Sequence, residues 1–217
     1  MGEMRKTVVI SLAIILIQFL IGVYFYPVMP ERMASHWGLG GNADGYQPKT
    51  IALYMIPIVS LGMFGLFLVL PRADPLKNIM RFREYYDGFV LLFLTFMLYI
   101  DSIVISWNLG IRFNMNQVLA PGFGALFYGI GIVSEKAKRN WFVGIRTPWT
   151  LSNEEVWEKT HRIGGKLFKM CGICAFLGVF AGAYALLFAV APIILVSIYL
   201  VIYSYSKYQK KNFRSPL

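Results

Sequence analysis

The apolar and charged residues of this chain fall into long separate blocks, and several apolar blocks have the length of membrane-spanning helices. A helix rises 1.5 Å per residue, so a hydrocarbon layer of about 30 Å needs about 20 apolar residues. Blocks with no charge, or with a single one, cover 7–26, 51–70, 89–108 and 118–133. They predict four spans, the fourth being shorter, rich in glycine and opened by Pro121.

A longer block follows, with 37 uncharged residues between Lys169 and Lys207. As one helix it would measure about 55 Å, far more than the bilayer core. We therefore predict a hairpin of two spans. Because Pro192 lacks the backbone donor that a helix interior needs, its turn is expected near residues 190–192.

Small residues in the fifth span can serve packing or chemistry. Gly178 and Gly182 form a Gly-x-x-x-Gly pattern, which allows close helix approach inside the bundle or, alternatively, at a dimer seam. Cys171 and Cys174 are interpreted as small packing residues rather than a redox pair. The oligomeric state is left open.

The basic residues predict the orientation, because short loops rich in Lys and Arg stay cytoplasmic. With a cytoplasmic N terminus, only Arg32, Lys49 and Arg112 of the 21 Lys and Arg residues face outward. The others lie at 5–6, 72–83 and 136–169 and in the tail, as Lys207, Lys210, Lys211 and Arg214. We therefore predict an all-α protein of the cell membrane with six spans and both termini in the cytoplasm.

Composition supports this class, since 57% hydrophobic and 15% charged residues do not suit one soluble domain. The net charge of +10 is distributed as the topology predicts. It favours anionic lipids of the inner leaflet rather than direct binding of nucleic acid. The first span is too long for a signal peptide and no cleavage site follows it, so we expect a retained anchor.

The segment 27–50 between the first two spans is predicted to be a compact, structured outer loop. It contains glycines, prolines and turn pairs at Gly41-Asn42 and Asp44-Gly45. Asp44 is expected to organise its turn, while Trp37 and Tyr46 anchor the loop at the membrane interface. His36 with Asp44 falls short of the three or four ligands that a metal site requires.

The inner loop at 134–166 carries the second group of chemical candidates. Ser152 and Glu155 have the capping-box spacing, which predicts a short interfacial helix starting at Asn153. Gly164-Gly165 would then permit a bend into span five. This helix is expected to lie along the inner membrane surface.

Two residues of the inner loop leave alternatives open. Arg146 precedes a helix N terminus, so it either completes an anion or lipid-phosphate site or braces the loop by bonding carbonyls or Glu155. His161 follows Trp157 by one helical turn, which favours stacking over proton transfer. Trp141, Trp149 and Trp157 are candidate interfacial anchors.

Asp101 is the one acidic residue inside a predicted span. Burying it costs about 3 kcal/mol, which marks it as a functional candidate. The Leu, Ile, Val and Phe residues of that span contribute about 0.4 kcal/mol each and outweigh this cost. Asp101 can therefore be protonated, paired or exposed to a wet cavity.

The two loops together resemble those of the SdpI family, prokaryotic membrane proteins named after an immunity protein against a secreted killing peptide. The N-terminal part at 14–58 resembles a small domain of unknown function that often precedes the family core. Its matching residues are Pro30, His36, Asp44, Gly45, Tyr46 and Lys49. The core signature is Asn140, Gly144, Arg146, Thr147, Pro148, Trp149, Thr150, Leu151, Trp157, His161, Gly164, Gly165 and Lys166.

The resemblance implies two units, a two-span unit at 1–70 and a four-span core at 71–217. It further implies protection against a membrane-active peptide toxin and retention of a cytoplasmic repressor at the membrane. The expected outer ligand-sensing residues are Pro30, His36, Trp37, Asp44, Gly45, Tyr46 and Lys49. The expected residues for an inner partner or lipid are Asn140, Trp141, Gly144, Arg146, Thr147, Pro148, Trp149, Glu155, Trp157 and His161.

Two other classes of function compete with this interpretation. A transporter or channel for ions, small solutes or peptides is suggested by Asp101, the glycine-rich fourth span and Pro192. A membrane-embedded enzyme is less favoured, because the sequence has two histidines on opposite predicted sides and no nucleophile elbow, metal-ligand cluster or phosphate loop. We therefore expect no catalytic site, metal or cofactor.

Overall fold

The computed structural model of the protein describes residues 2–212 and is dominated by helices. The helices are α1 (Gly2–Phe25), α2 (Lys49–Ala73), α3 (Arg83–Asn108), α4 (Met115–Lys136), α5 (Pro148–Ser152), α6 (Glu154–Leu177) and α7 (Leu187–Asn212). Between α1 and α2 lie two strands, β1 (Arg32–Trp37) and β2 (Ala43–Pro48). Short 3₁₀ segments occupy Tyr26–Val28, Asn78–Phe82 and Gly178–Tyr184. Within this described range, 6 helices are long and apolar enough to cross a membrane, which confirms the predicted number.

The first three spans pack through narrow stripes of buried residues. On α2 the stripe runs through Leu53, Pro57, Ser60, Phe64 and Phe67, the three-and-four spacing of one helix face. It joins two apolar clusters. The first cluster includes Ile15, Phe64, Phe67 and Leu94, and the second includes Met33, Leu53 and Ile105.

The closest helix pair is α4 with α6, and glycines of both helices make this approach possible. A Cβ on Gly124 would lie 2.9 Å from the carbonyl oxygen of Gly172, and one on Gly172 would lie 2.6 Å from that of Gly124. Gly131 and Gly165 repeat the arrangement at 2.6 and 2.7 Å. Only hydrogen fits at these positions, so the two backbones touch directly.

The predicted turn of the last hairpin at 190–192 is wrong. The chain reverses in the segment Gly178–Tyr184, and Pro192 lies inside α7. Gly182 adopts φ 58°, which only glycine accepts readily, and a Cβ on Gly178 would lie 2.7 Å from the carbonyl of Ala185. Of the Gly-x-x-x-Gly pattern, Gly178 thus packs within this chain and Gly182 supplies the turn, where a Cβ would meet nothing within 4 Å. Proline is tolerated in α7 because membrane helices accommodate it with local adjustments.

The inner loop also departs from its prediction. Helix α6 is capped by Asn153, whose Oδ1 accepts from Val156 N at 3.1 Å, so the Ser152–Glu155 capping box is wrong. Helix α6 continues without interruption through Gly164 and Gly165 into span five, and these glycines contact other segments. The short helix of this loop is α5, one turn earlier than predicted.

The bundle has two distinct ends. At one end, the basic face, the loop at 137–153 (the signature loop) meets the α2–α3 connection, where Asn78 Nδ2 donates to the carbonyl of Arg139 at 2.7 Å, and the C-terminal part of α7, where Trp149 packs on Tyr205. The β-hairpin covers the opposite end, the hairpin face. Assignment of the basic face to the cytoplasm rests on the charge distribution. Arg214 lies outside the described residues.

Candidate functional site

The signature loop is folded around the side chain of Asn140, which is fully buried. Its Nδ2 donates to the carbonyls of Lys138 at 2.8 Å and Val143 at 2.9 Å. Its Oδ1 accepts from the amides of Phe142 and Val143 at 2.8 and 2.7 Å. Both donors and both acceptor positions of the side-chain amide are used within the loop. Asn140 therefore shapes the loop and has no remaining donor or acceptor position to offer a partner.

His161 and Trp157 support the loop from α6. The two rings stack with centroids 3.8 Å apart, which confirms the expected stacking. His161 Nε2 accepts from the amide of Ile145 at 2.9 Å, and Nδ1 donates to the carbonyl of Trp157 at 2.9 Å. These two bonds require the neutral Nδ1–H tautomer. A Cβ on Gly144, which has φ 117°, would lie 2.3 Å from Nε2, so glycine is needed there.

Further contacts anchor the loop to neighbouring elements. Trp157 Nε1 donates to the carbonyl of Ala137 at 2.8 Å. Thr147 forms a capping box with Thr150 at the start of α5, and its hydroxyl lies 3.1 Å from that of Ser204 on α7. Both hydroxyls are buried, so the loop is fixed to the last helix by a polar contact.

Asp74, at the end of α2, was not singled out from the sequence. It is almost fully buried, and its Oδ2 accepts from Asn78 N at 2.8 Å while Oδ1 accepts from Trp141 N at 3.3 Å. Asn78 Nδ2 then donates to the carbonyl of Arg139 at 2.7 Å. The pattern Asp-x-x-x-Asn after a span was the available sequence signal, but nothing in it named the signature loop as the partner.

The outward surface of the loop is formed by a few of the predicted site residues. Trp141 is 51% exposed, and Arg146 and Pro148 are exposed. Arg146 Nη1 donates to the carbonyl of Trp141 at 2.8 Å. This bond braces the loop, which is one of the two roles expected of Arg146. Trp149 is half-buried and packs on Tyr205 with centroids 5.0 Å apart. We define Trp141, Arg146 and Pro148 as the exposed loop surface.

Glu155 does not reach back to the helix start as predicted. Its two oxygens pair with Lys159 Nζ at 2.6 Å and Lys211 Nζ at 2.8 Å. It lies beside a polar cleft of about 320 Å³ that also contains Lys136, Lys138 and Arg162. The basic face therefore carries mixed charges with an excess of cations at this cleft.

The outer loop is an antiparallel hairpin in which Arg32 pairs with Pro48 and Trp37 with Ala43. This confirms a structured loop. The turn spans Gly38 to Asn42, whereas Asp44-Gly45 lies within β2, so the turn predicted there is wrong. Asp44 Oδ1 instead pairs with His36 Nδ1 at 2.5 Å across the strands. Backbone pairing of β2 with β1 takes precedence over the local turn tendency of Asp-Gly.

The other outer residues lie around the hairpin. Trp37 meets Trp107 edge to face at 5.7 Å, while Tyr46 is 50% exposed and Pro30 is exposed. Lys49 Nζ pairs with Glu31 Oε1 at 2.8 Å, which ties the start of α2 to the strand entry. Among the described residues, no cluster of three or more His, Cys, Asp or Glu side chains is placed to hold a metal ion.

Three asparagines clamp the hairpin onto the bundle. Asn108 accepts from Ala34 N at 2.8 Å and donates to Ala34 O at 3.0 Å, mimicking a strand partner. Asn114 Nδ2 donates to Gly40 O at 2.9 Å, and Asn116 Nδ2 donates to Leu39 O at 2.7 Å. None of the three was expected from the sequence to bind the hairpin, although polar residues between two spans were a visible signal.

Beneath the clamped hairpin lies a cleft of about 440 Å³, the outer cleft. Its roof includes Ser35, His36, Trp37 and Gln47, and its walls include Ile56, Met97, Leu119 and Phe123 from α2, α3 and α4. A mainly apolar cavity with a few polar groups at one end suits an amphipathic ligand. Of the predicted sensing residues, the outer cleft brings together His36 and Trp37.

Asp101 is buried in the bundle, and within residues 2–212 neither of its carboxylate oxygens has a hydrogen-bond partner. It does not line the outer cleft, whose α3 wall is formed by Met97, Ile100, Ile103 and Val104. Of the states considered for Asp101, an ion pair with a described residue is therefore excluded. The side chain lies on the face of α3 that also carries Leu94 and Ile105.

The described residues form six helices that are long and apolar enough to cross a membrane. A hairpin covers one end of the bundle and a basic loop, supported from below, covers the other. This architecture defines a multi-pass helical membrane protein. Residues 136–204 match the model of the SdpI/YfhL protein family, and residues 13–61 match a domain of unknown function, DUF1648. Both matches fall on the segments whose residues resemble the SdpI family, so the comparisons confirm that resemblance. The Immunity protein SdpI of Bacillus subtilis (strain 168) is 29% identical over 210 residues, covering 96% of this chain and 99% of that protein. No solved structure matches the chain.

Proposed function

We propose that this protein is an immunity protein of the cell membrane that protects its cell against a membrane-active peptide. The observation that carries the proposal is the near full-length similarity to a protein named for immunity. Because that similarity includes both the hairpin region and the signature loop, it supports a shared function and not only a shared span count.

The outer cleft is the proposed binding site for the peptide. A peptide that acts on membranes has an apolar face and polar ends, and the cleft has apolar walls below a polar roof. Met55, Met97 and Met115 line it, and methionine side chains adapt to ligands of irregular shape. The three asparagine clamps hold the roof in place before a ligand arrives, which lowers the ordering cost of binding.

The exposed loop surface at the basic face is the proposed contact for a cytoplasmic partner such as a repressor. Trp141 and Arg146 belong to the residue types that contribute most to protein interfaces, and the loop beneath them is held rigid. The neighbouring cationic cleft additionally suits the headgroups of anionic lipids. Asn140, Thr147, Trp157 and His161 support this surface from below without meeting the partner.

The test of protection uses sensitive cells that express the protein and are challenged with a membrane-active peptide. Wild-type protein should raise survival. Ile56→Trp fills the outer cleft and should abolish protection, with Leu119→Trp as an independent second blockade. The matched control is Ile58→Trp, the same change on the same helix at a position that is 59% exposed.

Membrane levels and thermal unfolding of each variant separate loss of binding from loss of folding. Equal survival with and without the wild-type protein contradicts immunity. Full protection by both cleft-filling variants contradicts the cleft as the site while leaving immunity intact. Trp141→Ala combined with Arg146→Ala should release a co-expressed partner from the membrane fraction but preserve protection.

A transporter is the second candidate, favoured by the unpaired and buried Asp101. It predicts movement of an ion, a small solute or the peptide across reconstituted vesicles, and it predicts loss of that movement in Asp101→Asn. Vesicles that transport none of these exclude it.

A further inference from the structure

A further cavity of about 300 Å³, the inner cavity, lies beneath the signature loop at the opposite end of the bundle from the outer cleft. Its lining includes Phe67 and Leu70 from α2, Tyr86 from α3, Ile130 from α4, Phe168 from α6 and residues 142–145 from the loop. The Tyr86 hydroxyl is already used, since it donates to the carbonyl of Phe67 at 2.8 Å. The inner cavity therefore offers a ligand mainly carbon surface.

The signature loop covers the inner cavity on the side of the basic face, and both edges of the loop are fixed. Toward the α2–α3 connection, Asp74 Oδ1 accepts from Trp141 N at 3.3 Å. Toward α6, His161 Nε2 accepts from Ile145 N at 2.9 Å, and a Cβ on Gly164 would lie 2.4 Å from Ile145 Cδ1. A ligand from the cytosol would have to break these contacts. Entry from the bilayer leaves them intact.

The inner cavity lies at a boundary between two groups of helices. Helix α2 packs chiefly on α1 and α3, whereas α6 packs chiefly on α4 and α7. Leu70 of α2 and Phe168 of α6 line the same cavity, so the cavity lies between members of the two groups. A boundary of this kind gives a lipid chain a lateral path into the bundle.

The level of the inner cavity corresponds to the inner leaflet, next to its headgroups. Leu70 and Ser134, which both line it, lie in the last turns of α2 and α4. Arg72 and Lys136 follow them in the same two turns. Cations at the cytoplasmic ends of spans attract anionic headgroups. The cations and the apolar cavity thus match the two parts of one lipid, a negative headgroup and an apolar chain.

We propose that the inner cavity binds one acyl chain of an anionic phospholipid of the inner leaflet, with the headgroup at the basic ends of α2 and α4. A volume of about 300 Å³ is at the lower end of the range for ligand pockets, which suits part of a single chain and not a whole lipid. The bound chain supports Phe142, Val143 and Ile145 from below, so it stabilises the signature loop. The site does not depend on the immunity function proposed above.

The test uses the purified full-length protein in detergent, to which dioleoyl phosphatidylglycerol is added. This lipid should raise the wild-type Tm by about 5 °C. It should also slow hydrogen exchange at 141–146 several-fold while leaving the hairpin turn at 38–42 unchanged. Dioleoyl phosphatidylcholine has the same chains without net charge, and glycerol phosphate has the charge without a chain. Each should have little effect.

Two substitutions fill the inner cavity, and each has a matched control on the same helix. Leu70→Trp and Ile130→Trp should remove the response to phosphatidylglycerol. Leu66→Trp and Ile132→Trp should keep it, because these side chains are 47% and 38% exposed. Thermal unfolding without added lipid shows whether each variant is folded.

Native mass spectrometry of the wild-type protein provides a readout that needs no variant to fold, and it should detect one retained phosphatidylglycerol. A wild-type protein that retains none overturns the site. Equal responses of the cavity-filling and control variants also overturn it. Equal stabilisation by phosphatidylcholine or by glycerol phosphate has the same consequence, since the chain alone or the charge alone would then account for binding.

Discussion

Replacing Gly131 by alanine tests the contact that joins α4 to α6. The new Cβ would lie 2.6 Å from the carbonyl oxygen of Gly165 and 2.9 Å from the amide nitrogen of Lys169. Carbon and oxygen atoms at a favourable contact are about 3.3 Å apart, so the helices must separate by about 0.7 Å. Such overpacking costs about 2 kcal/mol, and the separation also weakens the paired contact of Gly124 with Gly172.

The expected effect is a fall in Tm of about 4–8 °C for a chain of this size. Gly62→Ala and Gly65→Ala are matched controls, because on α2 a Cβ at either position meets nothing within 4 Å. Alanine is a better helix former than glycine, so both controls should be neutral or slightly stabilising. Thermal unfolding of purified variants in one detergent measures all three. If Gly131→Ala is as stable as the controls, the close approach of α4 and α6 is refuted.

Substitutions in the loops provide three further tests. Thr147→Val removes the cap of α5 and the contact with Ser204, and should lower stability by about 1–2 kcal/mol in an unfolding titration, whereas the exposed Ser152→Ala should change little. Asn116→Ala removes the donor of the Leu39 carbonyl in the hairpin turn and should speed hydrogen exchange at 38–42 while leaving the signature loop unaffected; equal exchange in the variant counts against the clamp. In a background with Cys171 and Cys174 replaced, Tyr46→Cys should react with an impermeant thiol reagent on intact cells and Pro148→Cys should not, and the reverse pattern would invert the orientation.

Local sequence signals predicted the structure correctly where one short segment carries all of the necessary information. The length of each apolar block identified the spans, and the basic residues at their ends assigned a common face to the signature loop and the C-terminal helix. The spacing of His161 and Trp157 was sufficient to predict their stacking, because both lie on one turn of one helix.

The same kind of signal failed where local and long-range contacts compete. Ser152 has capping-box spacing with Glu155, yet Asn153 caps the helix and Glu155 pairs with Lys211 from another helix. Asp44-Gly45 favours a turn, yet the strand pairing of the hairpin extends through it. Pro192 suggests a helix boundary, yet the flexible Gly182 supplied a better place for the chain to reverse.

Sequence alone determined that this chain is a six-span membrane protein, which family it resembles and which face is basic, since hydrophobic length and charge act through the bilayer and not through partners. Only the tertiary structure decided that Asn140, Thr147 and His161 are used inside the signature loop while Trp141 and Arg146 remain outside. It also decided that Asp101 is buried with no hydrogen-bond partner among residues 2–212. A hydrogen bond depends on residues distant in sequence, and their distance is fixed only when the helices pack.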